Sequence, residues 1–598
     1  MPNSCLIFHF LARISWPALV MIAIASCFPV ATGQTDTRPN VVVILVDDAA
    51  LMDFGAYGGE ARTPNIDAFA ARGAMFLQYR TSPLCSPTRA MLLTGMDNHR
   101  TGVATIPEVL PEEHVGRPGY TMAFEPGVLT LADRLGAAGY RTMMSGKWHL
   151  GDKPEEMPQA HGFQRSFALA ASGADNWDDK SYMPFYADAP WFENGVEASL
   201  PKDFYSSRFI VDKMIDYLED TDKTKPFFAY LPFQAIHIPV QAPPEFTAHY
   251  KGRYHEGWHV MRAERHQRAQ MLGLVSKGAP LAPMPETARQ WDALSEKERA
   301  LYAARMEVNA GMLEAMDRQI GRFIDHLKAE NKFENTIFVI TSDNGPEFNR
   351  GDDDPRLAFW MSLNGYHVGL DGMGERGSWG FIGPEWANAA ASPGSLFKFY
   401  ATEGGIRAPL IVAGPGVVPQ QVYSPAMVTD LAPTLLDLIN SPSPPDDARA
   451  MTGRSLLPVL TGEANTVYAP DDVRAIEVSG NAALYKGDYK ITRSMPPVGD
   501  GAWRLFSMLD DPGETTDLSA AEPEMMANML TAYTDYASEM GVLDMPADYN
   551  SLVQIERNTQ ARLLRRYGWH LAALGLVLLA FLYGIYRSVR VILRRART

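Results

Sequence analysis

Two hydrophobic runs, each followed by acidic residues, restrict the fold of this chain more than any other feature. Residues 41–46 (VVVILV) and 336–341 (TIFVIT) have the composition of strands that are buried on both faces of a parallel sheet. The polar residues that follow these two runs are Asp47, Asp48, Ser342, Asp343 and Asn344. Because ligands of open α/β sheets bind at the carboxyl ends of the strands, we expect these side chains to converge on one site.

The segments between these runs favour an α/β fold. Residues 410–413 (LIVA) indicate another inner strand. Residues 129–138 and 295–331 have apolar side chains at helical spacing, which predicts amphipathic helices. We therefore expect a large α/β domain over residues 34–440.

The character of the sequence changes after residue 440. Residues 441–447 (SPSPPDD) are a turn-rich connector. Short strands are predicted within residues 475–491 and 503–509, and a helix is predicted at residues 522–540. These elements predict a smaller α+β subdomain over residues 441–545.

The N-terminal residues have the pattern of an export signal. Arg13 precedes an apolar stretch over residues 14–28, and small residues follow it at a cleavage spacing. We therefore expect residues 1–33 to be a secretory signal peptide. One alternative is lipoprotein-type processing at residues 24–27 (IASC), which would leave Cys27 as a lipidated N-terminus, and another is an uncleaved N-terminal anchor. N-terminal sequencing of the mature protein distinguishes signal-peptide cleavage from lipoprotein processing.

The C-terminal residues have the pattern of a membrane anchor. Residues 567–586 are apolar apart from one histidine, and such a helix spans about 30 Å, the thickness of a hydrocarbon core. Arginines flank this stretch on both sides, so the export signal decides its orientation. We expect a polar stalk at 546–566, a transmembrane helix at 567–586 and a basic cytosolic tail at 587–598. The catalytic body would then lie on the periplasmic side of a bacterial inner membrane.

Charge and cysteine content narrow the class of protein further. The net charge is −16, which argues against a nucleic-acid partner. The three cysteines are Cys5, Cys27 and Cys85, and the first two lie within the predicted signal peptide. A body with one cysteine forms no intramolecular disulfide, and the sequence has no N-x-S/T sequon. This combination indicates a bacterial exported protein.

The remaining cysteine lies in a distinctive motif. Residues 81–95 read TSPLCSPTRAMLLTG, with Pro87 placed for the first turn of a helix and Arg89 one turn after Cys85. A side chain at the start of a helix lies in positive potential. Taken alone, the motif is equally consistent with a partly buried free cysteine beside a surface arginine.

The acidic residues at the predicted strand ends suit a hard divalent cation. Asp47, Asp48, Asp343 and Asn344 offer only oxygen ligands. Ca²⁺ accepts six or more such ligands more readily than Mg²⁺ does, so a calcium site is predicted. The alternative for Asp47 and Asp48 is the capping of a helix.

Basic residues in three other segments could complete a site for an anion. Lys147 and His149 are two positions apart and share a face if the chain is extended there, although such a pair is also common on a solvated strand. His237 has apolar neighbours, which also fits a buried core histidine. Lys398 precedes a glycine-containing loop at residues 403–407.

Together these motifs resemble the type I, formylglycine-dependent sulfatases of the alkaline phosphatase superfamily, and most of all the bacterial arylsulfatases. The similarity runs from about residue 38 to residue 543. CSPTR at residues 85–89 fits the family signature C-x-P-x-R, and GKWHLG at residues 146–151 fits the second signature. WRLF at 503–506 with DPGE at 511–514 is similar to the motif of the closing subdomain.

The resemblance implies a fold and a set of site residues. The fold would be an alkaline-phosphatase-like core, a large mixed but mostly parallel sheet flanked by helices, with a smaller C-terminal α+β subdomain. Cys85 would be converted to Cα-formylglycine by a formylglycine-generating maturation enzyme. One Ca²⁺ would be held by Asp47, Asp48, the modified Cys85, Asp343 and Asn344. The side chains around the sulfate would be Arg89, Lys147, His149, His237 and Lys398.

The sequence departs from the family pattern at a few positions. Ala49 and Ala50 follow the aspartates where Leu-Gly is usual, Ile236 replaces a proline before His237, and Pro346 follows Asn344-Gly345. None of these changes removes a functional side chain. The C-terminal membrane helix is not a usual part of the fold and is predicted from the sequence alone.

The expected function is the hydrolysis of a sulfuric ester, either a small-molecule or a carbohydrate sulfate. Residues 364–391, rich in Gly and Trp, are expected to line the pocket. One alternative is a phosphate mono- or diester or phosphonate hydrolase of the same superfamily. Another is a membrane-anchored binding protein with a dead site. Paired aryl sulfate and aryl phosphate substrates separate the two enzymatic functions.

Overall fold

The structure is a computed structural model that describes residues 36–351, 353–441 and 449–596. The predicted signal peptide, including the alternative processing site at Cys27, lies outside the described residues, as does most of the connector at 441–447. The chain divides into a unit of residues 1–37, of which only Asp36 and Thr37 are described, and a unit of residues 38–598 that carries all the elements below.

The larger sheet has ten strands, which the sequence forms from mostly apolar segments. They are β1 (Asn40–Val46), β2 (Ala74–Arg80), β3 (Arg141–Lys147), β4 (Arg165–Leu169), β5 (Trp191–Glu193), β6 (Val196–Glu197), β7 (Phe227–Pro232), β8 (Thr336–Ser342), β9 (Leu410–Ala413) and β10 (Gln420–Met427). Their order across the sheet is β10-β2-β9-β8-β1-β7-β3-β4-β5-β6. The central strands β8, β1, β7, β3 and β4 are mutually parallel, and antiparallel pairs on both sides make the sheet mixed.

Strand β1 is buried on both faces, as its continuous apolar sequence predicted. Val42 and Ile44 pack into one hydrophobic core, whereas Val41 and Val43 pack into the other. Alternate side chains of a strand point to opposite faces, so β1 separates the two cores. The predicted inner strands at 41–46, 336–341 and 410–413 are confirmed as β1, β8 and β9.

Helices cover both faces of this sheet. They are α1 (Pro64–Arg72), α2 (Cys85–Thr94), α3 (Asn98–Thr101), α4 (Leu131–Ala137), α5 (Ser206–Glu219), α6 (Pro244–Thr247), α7 (Trp258–Leu272), α8 (Glu296–Ala329), α9 (Pro355–Leu363), α10 (Gly383–Ala390), α11 (Glu403–Ile406), α12 (Leu431–Leu438) and α13 (Leu457–Leu460). The 34-residue helix α8 begins with a capping box between Ser295 and Glu298, which satisfies backbone N–H groups of its first turn.

A smaller antiparallel sheet follows. Its strands, in spatial and chain order, are β11 (Arg474–Val478), β12 (Asn481–Lys486), β13 (Tyr489–Arg493) and β14 (Trp503–Ser507). Helix α14 (Pro523–Met540) packs Met529 and Tyr533 onto one face of this sheet. The predicted C-terminal α+β subdomain is therefore confirmed.

A buried charge cluster joins the two sheets. Lys490 of β13 lies 3.0 Å from Glu403, at the start of α11, and 2.7 Å from Glu514. Glu403 also pairs with Arg80, at the end of β2, at 2.9 Å. Glu514 belongs to the DPGE motif noted in the sequence, and its carboxylate also accepts a hydrogen bond from the backbone of Glu403 at 3.0 Å.

The chain ends in one long helix, α15 (Ser551–Arg595), whose 45 residues extend about 68 Å. The side chain of Asn550 caps its first turn by accepting from the backbone N–H groups of Leu552 and Val553. Among the described residues, this is the one helix long and apolar enough to cross a membrane, with mean hydropathy 1.8 over 18 residues that the protein leaves unburied. The helix also includes residues 551–566, which belong to the predicted stalk.

Candidate active site

The ends of β1 and β8 bring the predicted acidic residues together. Asp343 donates its backbone N–H to Val46 O at 3.1 Å, and the Asp343 carboxylate accepts from the backbone N–H of Asp48 at 3.1 Å. One ligand atom from each of Asp47, Asp48, Cys85 and Asp343 lies within 4.8 Å of the others, and all four residues are buried. Parallel pairing of two strands whose partner residues are 296 positions apart thus builds the predicted juxtaposition.

Two cations lie against these carboxylates. Lys147, the last residue of β3, places Nζ 2.6 Å from Asp47 Oδ2. Arg89 of α2 donates to Asp343 Oδ2 at 2.7 Å and to the Lys147 carbonyl at 2.8 Å. Burial raises the pKa of Asp47 well above its usual range, with Asp343 adding to the effect. Burial also acts to raise the pKa of Asp343, but Arg89 and Lys147 outweigh it and hold that pKa below the usual value.

Lys398 completes the charged cluster on the side of Asp48. Its ammonium lies 2.9 Å from Asp48 Oδ1 and 2.9 Å from Glu347 Oε2. Asn344 Nδ2 donates to Asp48 Oδ1 at 2.6 Å. Burial raises the pKa of Asp48 to about 6, against the lowering effect of Lys398.

Cys85 is the first residue of α2 and is buried beside this cluster. Burial raises the pKa of its thiol well above the usual value, and Lys147 and Lys398 only partly oppose that effect. The positive potential expected at the start of the helix is therefore outweighed by desolvation, and the sulfur is held as a neutral thiol.

Both predicted histidines reach the same cavity as neutral imidazoles. The rings are buried, and burial followed by the charge of Lys147 lowers the pKa of His149 and of His237 well below the usual value. The ring nitrogens of His149 have no hydrogen-bond partner among the described residues. His237 Nδ1 donates to the Ile238 carbonyl at 2.6 Å, and its Nε2 lies 3.9 Å from Asp48. That donation leaves Nε2 as the acceptor nitrogen.

Backbone strain accompanies the cluster. Asp48 has φ of 66° and His149 has φ of 55°, in the left-handed region that non-glycine residues seldom occupy. The carbonyl of His149 accepts from Ser86 Oγ at 2.7 Å, which ties this strained residue to α2 next to Cys85. Strain of this kind is concentrated at functional sites, where the surrounding packing maintains it.

A cavity of about 550 Å³ opens above the cluster. Cys85, His149, His237 and Lys398 line its inner end. Residues 364–391, expected to line the pocket, contribute Trp379 alone, whereas the preceding segment at 347–360 contributes more of the wall. The cavity therefore takes part of its shape from the loop after β8 and from α9, and part from α15.

All ten residues predicted for the site lie in this one region, and their catalytic roles stay predictions. The structure adds Glu347, which the sequence reasoning missed. Glu347 follows Asn344 by three residues in the loop after β8, and it forms a second cluster with Asp48 and His237. Its position after a strand that ends in two polar residues was the available signal.

Comparison with known proteins agrees with this geometry. The sequence profile of the Sulfatase family matches residues 39–441. An uncharacterized sulfatase of Schizosaccharomyces pombe is 35% identical over 537 residues, covering 86% of this chain and 96% of the relative. The arylsulfatase of Klebsiella aerogenes is 34% identical over 458 residues, covering 74% of this chain and 95% of the relative. A structure solved in complex with its substrate D-glucosamine-2-N,6-O-disulfate shares the fold with a TM-score of 0.58 at 21% identity, covering 86% of this chain and all of that one.

The sulfatase match over residues 39–441 and the similarity to an arylsulfatase, together with the fold shared with the solved structure, give the class: a hydrolase of the alkaline phosphatase superfamily. Within it, the chain belongs to the sulfatase family: it is a type I sulfatase, an enzyme that hydrolyses sulfate esters.

Proposed function

We propose that the enzyme hydrolyses sulfate esters, in the manner of an arylsulfatase, with residue 85 as a formylglycine made from cysteine and with one bound Ca²⁺. The observation that carries this proposal is the position of Cys85. It lies at the inner end of the cavity, buried among three aspartates and three cations. A neutral buried thiol is a poor nucleophile, so the same position favours a converted side chain.

The donor set fits a calcium ion. Asp47 Oδ1 and Asn344 Oδ1 are buried and have no hydrogen-bond partner within the described part of the chain. A buried polar atom without a partner costs free energy, which a cation coordinated by these oxygens would remove. Asp47, Asp48, Asp343, Asn344 and the modified residue 85 would hold the ion. It would supply positive charge beside the nucleophile and beside the oxygens of the sulfate.

The modified side chain explains why the residue at position 85 of this site is a cysteine. As a hydrated aldehyde it would offer two hydroxyl groups on one carbon. One hydroxyl would attack sulfur. The other would lose its proton while the carbon–oxygen bond to sulfate breaks, so that sulfate leaves and the aldehyde returns. His149 would accept that second proton, because its imidazole is neutral and its ring nitrogens have no partner in the described structure.

Charged groups would bind the sulfate and assist the leaving alcohol. Arg89 and Lys147 would orient the sulfate and stabilise its developing charge. Burial acts to lower the pKa of Lys398, but Asp48 and Glu347 help to raise it, so Lys398 is charged and would donate a proton to the departing oxygen. His237 would then accept a hydrogen bond at Nε2 from the new hydroxyl group.

The cellular location of the enzyme is part of the same proposal. We expect export through a signal at residues 1–33, modification of Cys85 by a formylglycine-generating enzyme before or during export, and anchoring by residues 567–586 with the catalytic body in the periplasm. The exposed apolar surface of α15 supports the anchor. Protease treatment of spheroplasts should digest the body. Protection of the body would contradict this orientation.

Activity on matched substrates tests the proposed reaction. The full chain, co-expressed with a formylglycine-generating enzyme and purified in detergent, should hydrolyse an aryl sulfate much faster than the corresponding aryl phosphate. Cys85→Ala and His149→Ala should each lose at least about 100-fold in kcat. His249→Ala, at an exposed histidine outside the cavity, should retain activity. Faster phosphate hydrolysis, or full activity of Cys85→Ala, would overturn the proposal.

A further inference from the structure

The C-terminal helix contributes to the substrate cavity. Leu552, Ile555, Thr559 and Leu563 of α15 line the same cavity as Cys85 and Lys398. These four residues recur at intervals of three or four, so they lie on one face of the helix. The segment immediately before the predicted membrane span is therefore a wall of the pocket.

This wall is held in place by contacts with the catalytic domain. Asn558 Nδ2 donates to the carbonyls of Glu108 and Leu110, each at 2.9 Å. The guanidinium of Arg562 lies 3.8 Å from the centre of the Phe185 ring. Because hydrogen bonds and cation–π contacts hold this segment against the domain, α15 is an integral part of the pocket rather than a free tether.

The cavity has two chemically different ends. Its inner end carries Cys85, His149, His237 and Lys398, whose charges and polar groups suit a sulfate. The rest of the lining, which includes the wall of α15, has the apolar side chains Ile106, Leu357 and Trp360 as well as Arg356 and Glu556, which pair with each other, and most of its exposed surface is apolar. Apolar side chains cannot replace the water bound to sugar hydroxyls, so this end favours a hydrophobic group.

The apolar end also lies close to the predicted membrane surface. Leu563 precedes Tyr567, where the predicted span begins, by four residues, or about 6 Å along the helix. Helix α9, which supplies Leu357 and Trp360 to the cavity, leaves Phe359 66% exposed and Leu363 70% exposed. Exposed large apolar residues of this kind mark a surface that contacts a membrane or a partner.

From these observations we infer that the substrate is an amphiphilic sulfate ester of the membrane that anchors the enzyme. The sulfate would lie against Cys85 and Lys398, and the hydrophobic part of the alcohol would lie along Ile555 and Leu563 of α15. This inference rests on the proposed sulfatase reaction and specifies its substrate class. It differs from the aminosugar disulfate bound by the structural relative.

A chain-length series tests the inference with the full, matured enzyme. The substrates are phenyl sulfates with 4-alkyl groups of increasing length, together with glucosamine 6-sulfate. We expect kcat/KM to rise by roughly two- to fourfold per methylene group over the first several carbons. A flat series, or a preference for the sugar sulfate, would overturn the inference. No hydrolysis of any member, including phenyl sulfate, would instead count against the proposed reaction itself.

Substitutions in the α15 wall give a second test, which compares the same alkyl substrates between variants. Ile555→Gln and Leu563→Gln should each reduce the ratio of kcat/KM between the longest and shortest alkyl substrates by about fivefold or more. Leu564→Gln is the matched control, because Leu564 is 62% exposed, lies one residue away and does not line the cavity. An unchanged ratio in both wall variants, or an equal reduction in the control, would contradict the inference that the hydrophobic part of the substrate lies along Ile555 and Leu563.

The source of the substrate is tested with vesicles. The enzyme is reconstituted into phospholipid vesicles, and a long-chain alkylphenyl sulfate is supplied either in the same vesicles or in separate ones. Initial rates should be higher when enzyme and substrate share a bilayer. Equal initial rates would show that the substrate is taken from solution and would overturn the membrane part of the inference.

Discussion

The ammonium of Lys398 lies 2.9 Å from the carboxylate of Glu347, a residue outside the set that the sequence motifs identify. Glu347 lies at the inner part of the cavity and holds Lys398 at the position from which it reaches Asp48. We expect it to be a positioning residue, which acts through Lys398 and not on the reacting atoms.

Replacement of Glu347 should therefore lower kcat more than it raises KM. Glu347→Ala leaves Lys398 with one carboxylate partner, and we expect kcat to fall by roughly 10- to 100-fold. Steady-state kinetics on an aryl sulfate measure the effect. Glu347→Asp keeps the carboxylate and should recover part of kcat. If Glu347→Ala has a lower unfolding midpoint but its folded fraction has the wild-type kcat, the role of Glu347 is structural only.

Removal of the metal should inactivate the enzyme and lower its stability. Three buried aspartates repel one another when the cation is absent. A ligand that binds only the folded state stabilises that state by about 2.7 kcal/mol when the free ligand concentration is 100 times the dissociation constant. Dialysis against EGTA should abolish activity, and added Ca²⁺ should restore it and raise the unfolding midpoint. Asp343→Asn serves as the control, since its midpoint should respond weakly to Ca²⁺. An unchanged wild-type midpoint would contradict the assigned site.

Replacement of Lys490, which links the two sheets, should lower the free energy of unfolding. It is buried between Glu403 and Glu514, so Lys490→Met leaves two carboxylates without their shared cation. Breaking a buried pair in this way costs about 3–5 kcal/mol. Urea unfolding of the full chain in detergent measures the loss. Lys153→Met, in the solvent-exposed pair with Glu156, should change the free energy of unfolding by less than about 1 kcal/mol.

His99 should make the stability depend on pH. Its ring lies between Asp97, at 2.9 Å, and Glu477 of the small sheet, at 2.7 Å. Burial opposes protonation, but the hydrogen bonds to these two carboxylates outweigh it and raise the pKa of His99 from 6.5 to about 9. Because the folded pKa is the higher one, the stabilisation is complete below pH 6.5 and is lost as the pH rises through 9.

The free energy of unfolding should consequently fall by up to about 3 kcal/mol between these two pH values. Urea titrations at a series of pH values give the slope. His99→Gln cannot titrate, so its stability should change less over the same interval. Equal slopes in the two proteins would show that His99 is not the responsible group.

The sequence predicted the central strands and the acidic residues at their ends because both depend on local patterns. Continuous apolar runs identify β1 and β8, and the polar residues at their ends identify Asp47 and Asp343. The charge state of Cys85 could not be predicted in this way. It depends on how completely the folded chain removes water from the thiol, and that burial outweighs the favourable position at the start of α2.

The role of the C-terminal helix was also inaccessible to sequence reasoning. Residues 546–566 are polar enough to suggest a stalk, and nothing local indicates a contact with a cavity formed hundreds of residues earlier. The contact depends on Asn558, whose side chain meets the carbonyls of Glu108 and Leu110 only in the folded protein. Glu347 lies shortly after the polar end of β8, but its partner Lys398 is distant in the chain, so the sequence alone did not single it out.

The most direct test of the account is the chemical state of residue 85. Peptide mass spectrometry across residues 81–95 of protein purified from its own host, alongside an aryl sulfate assay, measures it. We predict a mass lower than that of the cysteine peptide by about 18 Da, reaction with a carbonyl-specific hydrazine, and release of sulfate. An unmodified thiol in a preparation that hydrolyses aryl sulfates at full rate would contradict the central claim.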